Sequence, residues 1–357
     1  MRRERDARID LWRGVALLVI FANHIPGTRF EGAHKALFLS DAAEVFVLLA
    51  GVSASHAYWP RFSGDPLGVT MRAWSRAFQL YAAHLATIVM AIALIALAGA
   101  DERAIEMYGL APLSADPLAT LGAIATLGHQ LPYFDILPLY VVLLLLAPGL
   151  LALARLGIAP LLAASGALYL AVPLAGLALP GEPGFFFNPF SWQLLFALGL
   201  AYGIASRDGR RAPDHPALVA IGCALLLAAA AWKTWASVDP GWLLTGLGKR
   251  TLALPRVAHV VVLAYVVARA PGLRAFGREA GWWSPLALVG RHSLPIFCFG
   301  SLLSVGGYLL RTSVDDEPWL DVLYVALGVA AHLGLAAFLE WRREGFPRAG
   351  RAVALSS

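Results

Sequence analysis

Charged residues are scarce in this sequence. Asp, Glu, Lys and Arg make up only 14% of the 357 residues, and hydrophobic residues make up 59%, whereas soluble globular domains carry about a quarter charged residues. Uncharged runs such as 141–154 and 217–232 recur along the chain, and each approaches the roughly 20 residues that cross a bilayer. Because a soluble fold cannot bury that much apolar surface, the sequence predicts a protein whose solvent is the lipid bilayer.

Cysteines and several catalytic motifs are also scarce or absent. The two cysteines, Cys223 and Cys298, both lie in apolar runs, so a disulfide framework is not expected. The sequence has no Gly-x-Ser-x-Gly elbow, P-loop, His-Glu-x-x-His or Cys-x-x-Cys motif, which removes support for a hydrolase, an NTPase or a zinc site. No metal is expected. The net charge is +5, but the basic residues lie in short loops rather than in one aromatic-interleaved patch, so nucleic acid is not an expected partner.

The apolar segments predict an all-α, polytopic bundle of about ten transmembrane helices that forms a single domain over residues 1–357. The first apolar run follows a basic start but no cleavage site follows it, so it is interpreted as an uncleaved helix. The predicted spans are 9–27, 37–59, 72–99, 133–153, 158–179, 190–206, 216–236, 252–270, 285–310 and 319–341.

Lys and Arg are distributed unevenly between the two sides of this predicted bundle. About 18 of the 28 fall in the tails and in the loops on the side of both termini. The positive-inside rule therefore places both termini in the cytoplasm, and the expected location is a bacterial inner membrane. The exception is segment 233–256, where four basic residues lie on the side predicted to be translocated. Either this segment binds an anion or one span is miscounted.

Ionisable residues inside the predicted spans are candidates for function. A charge near the bilayer centre costs at least about 2.5 to 3.5 kcal/mol, so such residues should face the bundle interior or water. Arg13 and His24 bracket the first helix, and eleven residues at 1.5 Å rise separate them by about 16 Å. Arg13 is then near the cytoplasmic face and His24 toward the other. The structural alternatives are snorkelling of Arg13 into the headgroups and a hydrogen-bonded packing role for His24.

Two carboxylates share one face at the start of the second predicted helix. Asp41 and Glu44 are three residues apart, a spacing that puts them side by side. A charge that complements the helix dipole is a sufficient explanation for Asp41. Glu44 lies a turn deeper and is followed by the apolar run 45–48, which predicts a buried partner. The nearest candidate is His24, on the same predicted side.

Three further polar residues lie in or beside the spans. His84 is inside the third predicted helix, Asp135 precedes the fourth and His259 is in the eighth. Each one taken alone is also explained as a satisfied interior polar group. A histidine with carboxylate partners is nevertheless the set of groups that general-base removal of a hydroxyl proton requires.

Polar clusters open two more of the predicted spans. Arg291 and His292 lie near the start of the ninth span, where a functional role is favoured over a structural one. Asn188, Trp192 and Gln193 open the sixth span. Their amide and indole groups suit a sugar, although Trp at a membrane interface is also an ordinary anchor.

Segments in order along nearly the whole chain resemble the OpgC-type proteins, membrane succinyltransferases for osmoregulated periplasmic glucans within the wider acyltransferase family 3 group. The wider group has an Arg or Lys separated by ten residues from a His in the first helix, and Arg13 with His24 fits that spacing. The resemblance departs at Ala50-Gly51, where the group has Ser-Gly. The matching segments are Arg8–Gly14, Asn23–Gly27, Phe38–Val47, Gln79–His84, Phe134–Tyr140, Phe187–Phe196 and Gly290–Gly300.

The resemblance implies acyl transfer from cytoplasmic acyl-CoA, with succinyl-CoA as the donor that the family description suggests, to a glycan hydroxyl on the far side. In this hypothesis Arg13 and other cations on the cytoplasmic side hold the coenzyme A phosphates. His24 is the base, and Asp41 or Glu44 fixes its imidazole as the carboxylate does in a Ser-His-Asp triad. Asp135 joins this catalytic group.

The other polar residues receive substrate roles in the same hypothesis, and alternatives stay open. His24, His84 and His292 remain rival candidates for the base. A transporter or flippase would use the same buried charges as a proton or substrate pathway, and a sensor or scaffold without turnover is a third possibility. The residues expected to bind substrate or an oxyanion are Arg291, His292, Asn188, Trp192, Gln193 and His84.

Overall fold

The computed structural model is helical wherever it has regular structure in the residues it describes, which are 7–32, 38–99, 101–181, 184–210, 212–235, 248–279, 284–314 and 317–344. Its helices are α1 (Ala7–Asn23), α2 (Ala42–Phe62), α3 (Pro66–Leu97), α4 (Glu102–Met107), α5 (Ala111–Ala115), α6 (Pro117–Ala125), α7 (Ile136–Leu156), α8 (Ile158–Ala175), α9 (Pro189–Arg207), α10 (Pro216–Trp235), α11 (Leu254–Arg269), α12 (Pro271–Glu279), α13 (Pro285–Arg291), α14 (Ser293–Ser313) and α15 (Pro318–Glu344). The predicted all-α class is confirmed.

A helix lies at each of the ten predicted spans, with bounds shifted by a few residues. Six helices of the described part, α3, α7, α8, α10, α14 and α15, are long and apolar enough to cross a membrane, and α11 with α12 makes a seventh if this pair, bent by 69°, is one span. The chain is therefore a membrane protein. Ten spans and cytoplasmic termini stay predictions.

Two predicted segments differ from the structure. The ninth span is broken at His292 into α13 and α14. Pro295 is one reason, because it has no N–H to donate to the carbonyl of Arg291. Segment 101–132, predicted as a loop, contains the short helices α4, α5 and α6. Each of these is shorter than a span, so the apolar-run criterion could not find them.

The packing of α2 against α9 sets the geometry of the bundle. A Cβ atom on Gly51 would overlap the main chain at Phe196, and one on Gly199 would overlap the main chain at Leu48. Small residues allow such close backbone approach in membrane bundles. A parallel alignment follows, because Gly203 further along α9 meets Ser55 further along α2. Both helices therefore begin at the same end.

Helix α1 runs in the opposite direction beside α2. Its end at His24 lies on Tyr133, two residues before Asp135, which is within electrostatic reach of the Lys249 that binds Asp41 at the start of α2. The guanidinium of Arg13 donates to Ser53, which is twelve residues after Asp41. The two ends of the bundle are accordingly named. The Arg13 end is where α1 begins, and the His24 end is where α1 finishes and α2 and α9 begin.

Helices α12 and α13 cover the Arg13 end. Gly290 of α13 packs on the main chain of Asp10, and Gly14 of α1 packs on the main chain of Leu286. On α12, Gly277 faces the side chains of Arg8 and Trp12. Helix α13, the first part of the broken ninth span, therefore lies beside the first turns of α1.

Candidate active site

Two carboxylates and two cations meet at the His24 end and form what is called here the four-charge cluster: Asp41, Glu44, Lys249 and Arg256. Asp41 caps α2 by accepting from the N–H of Ala43 at 2.9 Å, and its own N–H donates to Glu44 Oε2 at 3.0 Å. Lys249 Nζ lies 2.5 Å from Asp41 Oδ2, and Arg256 Nε donates to Glu44 Oε1 at 2.6 Å. Because the side chain of Glu44 is 0% exposed, it needs such a partner.

The partner of Glu44 is therefore Arg256, and the expectation that it is His24 is wrong. The interpretation of Asp41 as a helix-start charge is confirmed by its capping geometry. Lys249 and Arg256 both come from segment 233–256, which broke the orientation rule. Their contacts with Asp41 and Glu44 give a reason, since two of its four positive charges are neutralised inside the protein.

His24 lies against Tyr133, at the start of the segment that leads into α7. The ring centroids are 5.2 Å apart. The hydroxyl of Tyr133 donates to Glu31 Oε1 at 2.7 Å, and the N–H of Gly27 donates to the other carboxylate oxygen at 2.8 Å. Burial first, and then the hydrogen bond and negative charge of Glu31, raise the pKa of Tyr133 well above its usual value. The phenol therefore stays a proton donor.

The backbone at Tyr133 is strained. Its φ is +70°, a left-handed conformation that costs a non-glycine residue about 1 to 3 kcal/mol and that is common at functional sites. The strain accompanies the placement of the aromatic ring beside His24.

Asp135 interacts electrostatically with both Tyr133 and the four-charge cluster. Burial raises the pKa of its carboxyl to about 7, while the positive charges of Lys249 and Arg250 act in the opposite direction. Asp135 is also close enough to Tyr133 to raise the pKa of the phenol. The charge of Asp135 therefore acts on Tyr133 on one side and is acted on by Lys249 of the four-charge cluster on the other, and these residues with His24 form the candidate site at the His24 end.

The three polar residues that open α9 form hydrogen bonds within the protein. Asn188 accepts from the N–H of Phe190 at 2.9 Å as the cap of α9, and Trp192 donates to the carbonyl of Lys249 at 3.1 Å. Gln193 donates to the carbonyl of Ser165 at 2.8 Å. Trp192 and Gln193 are buried and make these contacts within the protein, and the contact of the three side chains with a sugar stays a prediction. The bond from Trp192 holds the main chain of the segment that carries Lys249.

Arg291 and His292 lie at the Arg13 end. Arg291 NH1 is 2.5 Å from Glu340 Oε1, and His292 Nε2 is 2.7 Å from Glu340 Oε2. Because α13 packs at Gly14, it is separated from His24 by ten residues of α1, or about 15 Å. The structure therefore does not bring Arg291 or His292 to His24, and an oxyanion role beside that histidine is not supported.

Arg13 and His84 are both buried. Arg13 NH1 lies 3.5 Å from Asp10 Oδ1, so Arg13 faces the bundle interior and does not snorkel. Its contact with coenzyme A phosphates stays a prediction. Neither ring nitrogen of His84 has a hydrogen-bond partner in the described part of the chain, and its role in the reaction also stays a prediction.

Sequence reasoning missed Lys249, Arg256 and Tyr133 as members of the site. The available signal for the first two was their place on the side that disfavours positive charge. A contact of His259, one turn after Arg256, was also missed. Its Nδ1 lies 2.7 Å from the hydroxyl of Ser40, and this hydrogen bond joins α11 to the start of α2. Within the described ranges, no group of three or more metal-ligating side chains is found.

The model of a family described as OpgC protein matches residues 5–344, nearly the whole chain. No curated protein and no solved structure matches.

Proposed function

This chain belongs to the OpgC family, and from that premise we propose that it is a membrane O-acyltransferase that moves an acyl group from acyl-CoA to a hydroxyl of a glucan. Family membership implies a glucan-modifying transferase and does not favour a transporter. The finer proposal is that acyl-CoA binds from the cytoplasm, the glucan lies in the periplasm of a bacterium, the enzyme resides in the inner membrane, and succinyl is the acyl group.

The observation that carries the proposal is the polar site at the His24 end. His24 is the base that removes the proton of the sugar hydroxyl. The freed oxygen attacks the thioester carbonyl, and the tetrahedral intermediate collapses with release of the coenzyme A thiolate, which takes the proton back from the imidazolium. A correctly placed base contributes about 10²- to 10⁴-fold in rate.

In this proposal the two carboxylates have a different task from that of a triad carboxylate. Asp41 and Glu44 hold Lys249 and Arg256. Lys249 keeps 24% of its side chain exposed, so its ammonium is the group of this cluster best able to stabilise the developing oxyanion. Tyr133 packs on the imidazole and orients it.

The proposal places the acyl arm beside α1, where the packing leaves a small cavity with room for about one water molecule. It extends along that helix from Leu17 to His24 and is closed on the other side by α14 and by His332 of α15. Acyl-CoA entering at the Arg13 end would present its thioester to His24 from this side, with Arg13 near the phosphates.

The test is acceptor-dependent release of thiol by the purified protein, supplied with acyl-CoA and glucan and followed by mass spectrometry of the glucan. We expect His24→Asn to lower the rate by about 10²- to 10⁴-fold. The control is His56→Asn, at an exposed histidine of α2, which should keep the wild-type rate.

Two results would contradict the proposal. A His24→Asn protein that inserts normally and keeps full activity removes His24 as the base. A wild-type protein that releases no thiol from any acyl-CoA, yet moves glycan across proteoliposomes, is a transporter.

A further inference from the structure

A second polar feature lies at the Arg13 end, away from His24. It is a cleft between the start of α10, the end of α11 and α12, and it encloses about 1130 Å³ with open solvent included. It is called here the arginine cleft. Its lining residues are Asp214, Pro216, Val219, Ala220, Arg269, Pro271, Arg274, Ala275 and Arg278.

The cleft collects positive charge. Arg269 and Arg274 reach Asp214 Oδ2 at 3.4 and 2.8 Å, and Arg269 also donates to the carbonyl of Ala212 at 2.7 Å. Arg278 is exposed and has no ion pair in the described part of the chain. Among the lining residues, three guanidinium groups therefore face one carboxylate, which leaves two positive charges without a balancing charge.

The bend between α11 and α12 creates this arrangement. The two helices meet at 69° at Pro271, whose ring cannot continue the helix hydrogen bonding. Arg274 and Arg278 are four residues apart and so lie on one face of α12. The bend brings that face toward Arg269 and the start of α10, where Val219 and Ala220 supply an apolar wall.

We propose that the arginine cleft is a binding site for a phosphate-bearing ligand. The planar forks of Arg match phosphate oxygens, and Asp214 holds two of the three forks in place before a ligand arrives. The apolar wall offers a surface for the organic part of the same ligand.

Two sources of phosphate fit this chemistry. One is the nucleotide end of the acyl-CoA donor, and this source rests on the proposed function. Helix α12 packs on the start of α1, with Phe276 and Trp12 in edge contact at 6.2 Å, so the cleft is next to the end at which the donor would enter. The other source is an anionic phospholipid headgroup, since Leu273 and Phe276 of α12 are partly exposed.

The test uses Arg274→Gln/Arg278→Gln in the full-length protein, with Arg61→Gln/Arg155→Gln as the matched control. The control removes two exposed arginines from the same predicted side of the membrane. Coenzyme A binding is measured by calorimetry in nanodiscs of zwitterionic lipid alone. Thermal stabilisation is then measured in nanodiscs that also contain phosphatidylglycerol.

We expect the cleft variant to bind coenzyme A about 10- to 100-fold more weakly, which identifies the nucleotide. Loss of the stabilisation by phosphatidylglycerol, with coenzyme A binding unchanged, identifies the lipid headgroup. A cleft variant that keeps both properties, or a control variant with an equal loss, overturns the proposal. If the double variant does not fold, Arg278→Gln alone gives the same comparison, because that side chain is exposed and has no ion pair with any described residue.

These measurements need no turnover. A wild-type protein that binds coenzyme A through the cleft but transfers no acyl group would overturn the proposed function and leave the cleft standing. If the cleft variant binds normally and the wild-type protein transfers the acyl group, the proposed function stands and the cleft proposal is overturned.

Discussion

Glu44 carries a carboxylate with no exposed surface, in contact with Arg256. Its burial could be predicted from the apolar run that follows it, but its partner could not, because Arg256 is 212 residues away in the sequence. His24 was predicted as the partner of Glu44 only because both residues lie on the same predicted side of the membrane. Charge pairs of this kind depend on which helices pack together, and local sequence does not contain that information.

We predict that Arg256→Met lowers the free energy of unfolding by about 3 to 5 kcal/mol, since it leaves the buried Glu44 carboxylate without its closest cation. The double variant Glu44→Gln/Arg256→Met should recover much of that loss. Unfolding in detergent would measure both. The exposed pair of Arg72 and Asp65 is the comparison, and Arg72→Met there should cost about 0 to 1 kcal/mol. Equal losses of unfolding free energy at the two sites would show that the buried Glu44–Arg256 pair matters no more for stability than an exposed pair.

A pH dependence of stability is expected from Asp135. Burial raises the pKa of its carboxyl to about 7, above the value of about 3.9 in an unfolded chain. The stability that the protonated form contributes is therefore fully present below the unfolded value and is lost as the pH rises through about 7. Relative to Asp135→Asn, which stays neutral, the wild-type Tm should fall between pH 4 and pH 8 and then level off. Parallel Tm curves for the two proteins would contradict this.

The helices were the best predicted elements, because long uncharged runs report directly on burial in lipid. The segments around α4 to α6 and the break before α14 were not predicted, since a run criterion recognises neither short helices nor interruptions. The contact of α2 with α9 was also out of reach. The small residues around Gly51 indicated close packing, but they did not identify α9 as the partner.

We predict that Gly199→Ala destabilises the protein, because the new Cβ would overlap the main chain at Leu48. Overpacking typically costs about 1 to 3 kcal/mol, and a rigid backbone neighbour favours the upper part of that range. The control is Gly166→Ala in α8, where a Cβ would meet no atom within 4 Å. Thermal unfolding in detergent should separate the two variants. A Gly199→Ala protein as stable as the control would disprove the close contact of α2 and α9.

At the scale of the whole bundle, the residues of the proposed active site and those of the arginine cleft lie at two different ends of the described structure. His24, Tyr133, Asp135 and the four-charge cluster lie at one end, and Arg13 and the arginine cleft lie at the other. The position of Arg13 and His24 at opposite ends of α1 could be predicted from helix geometry alone. The separation of Arg291 and His292 from His24 could not, because it depends on the return of α13 beside the start of α1.

The most direct test of the account is mass spectrometry of cell-envelope glycans from a strain that lacks this protein. We expect a glucan to lose the mass of one acyl group in that strain, and the wild-type gene and His56→Asn to restore it. His24→Asn should reach the membrane in normal amount and fail to restore it. Glycans that are unchanged by the deletion, or full restoration by His24→Asn, would contradict the central claim that the polar site at the His24 end transfers an acyl group to a glucan.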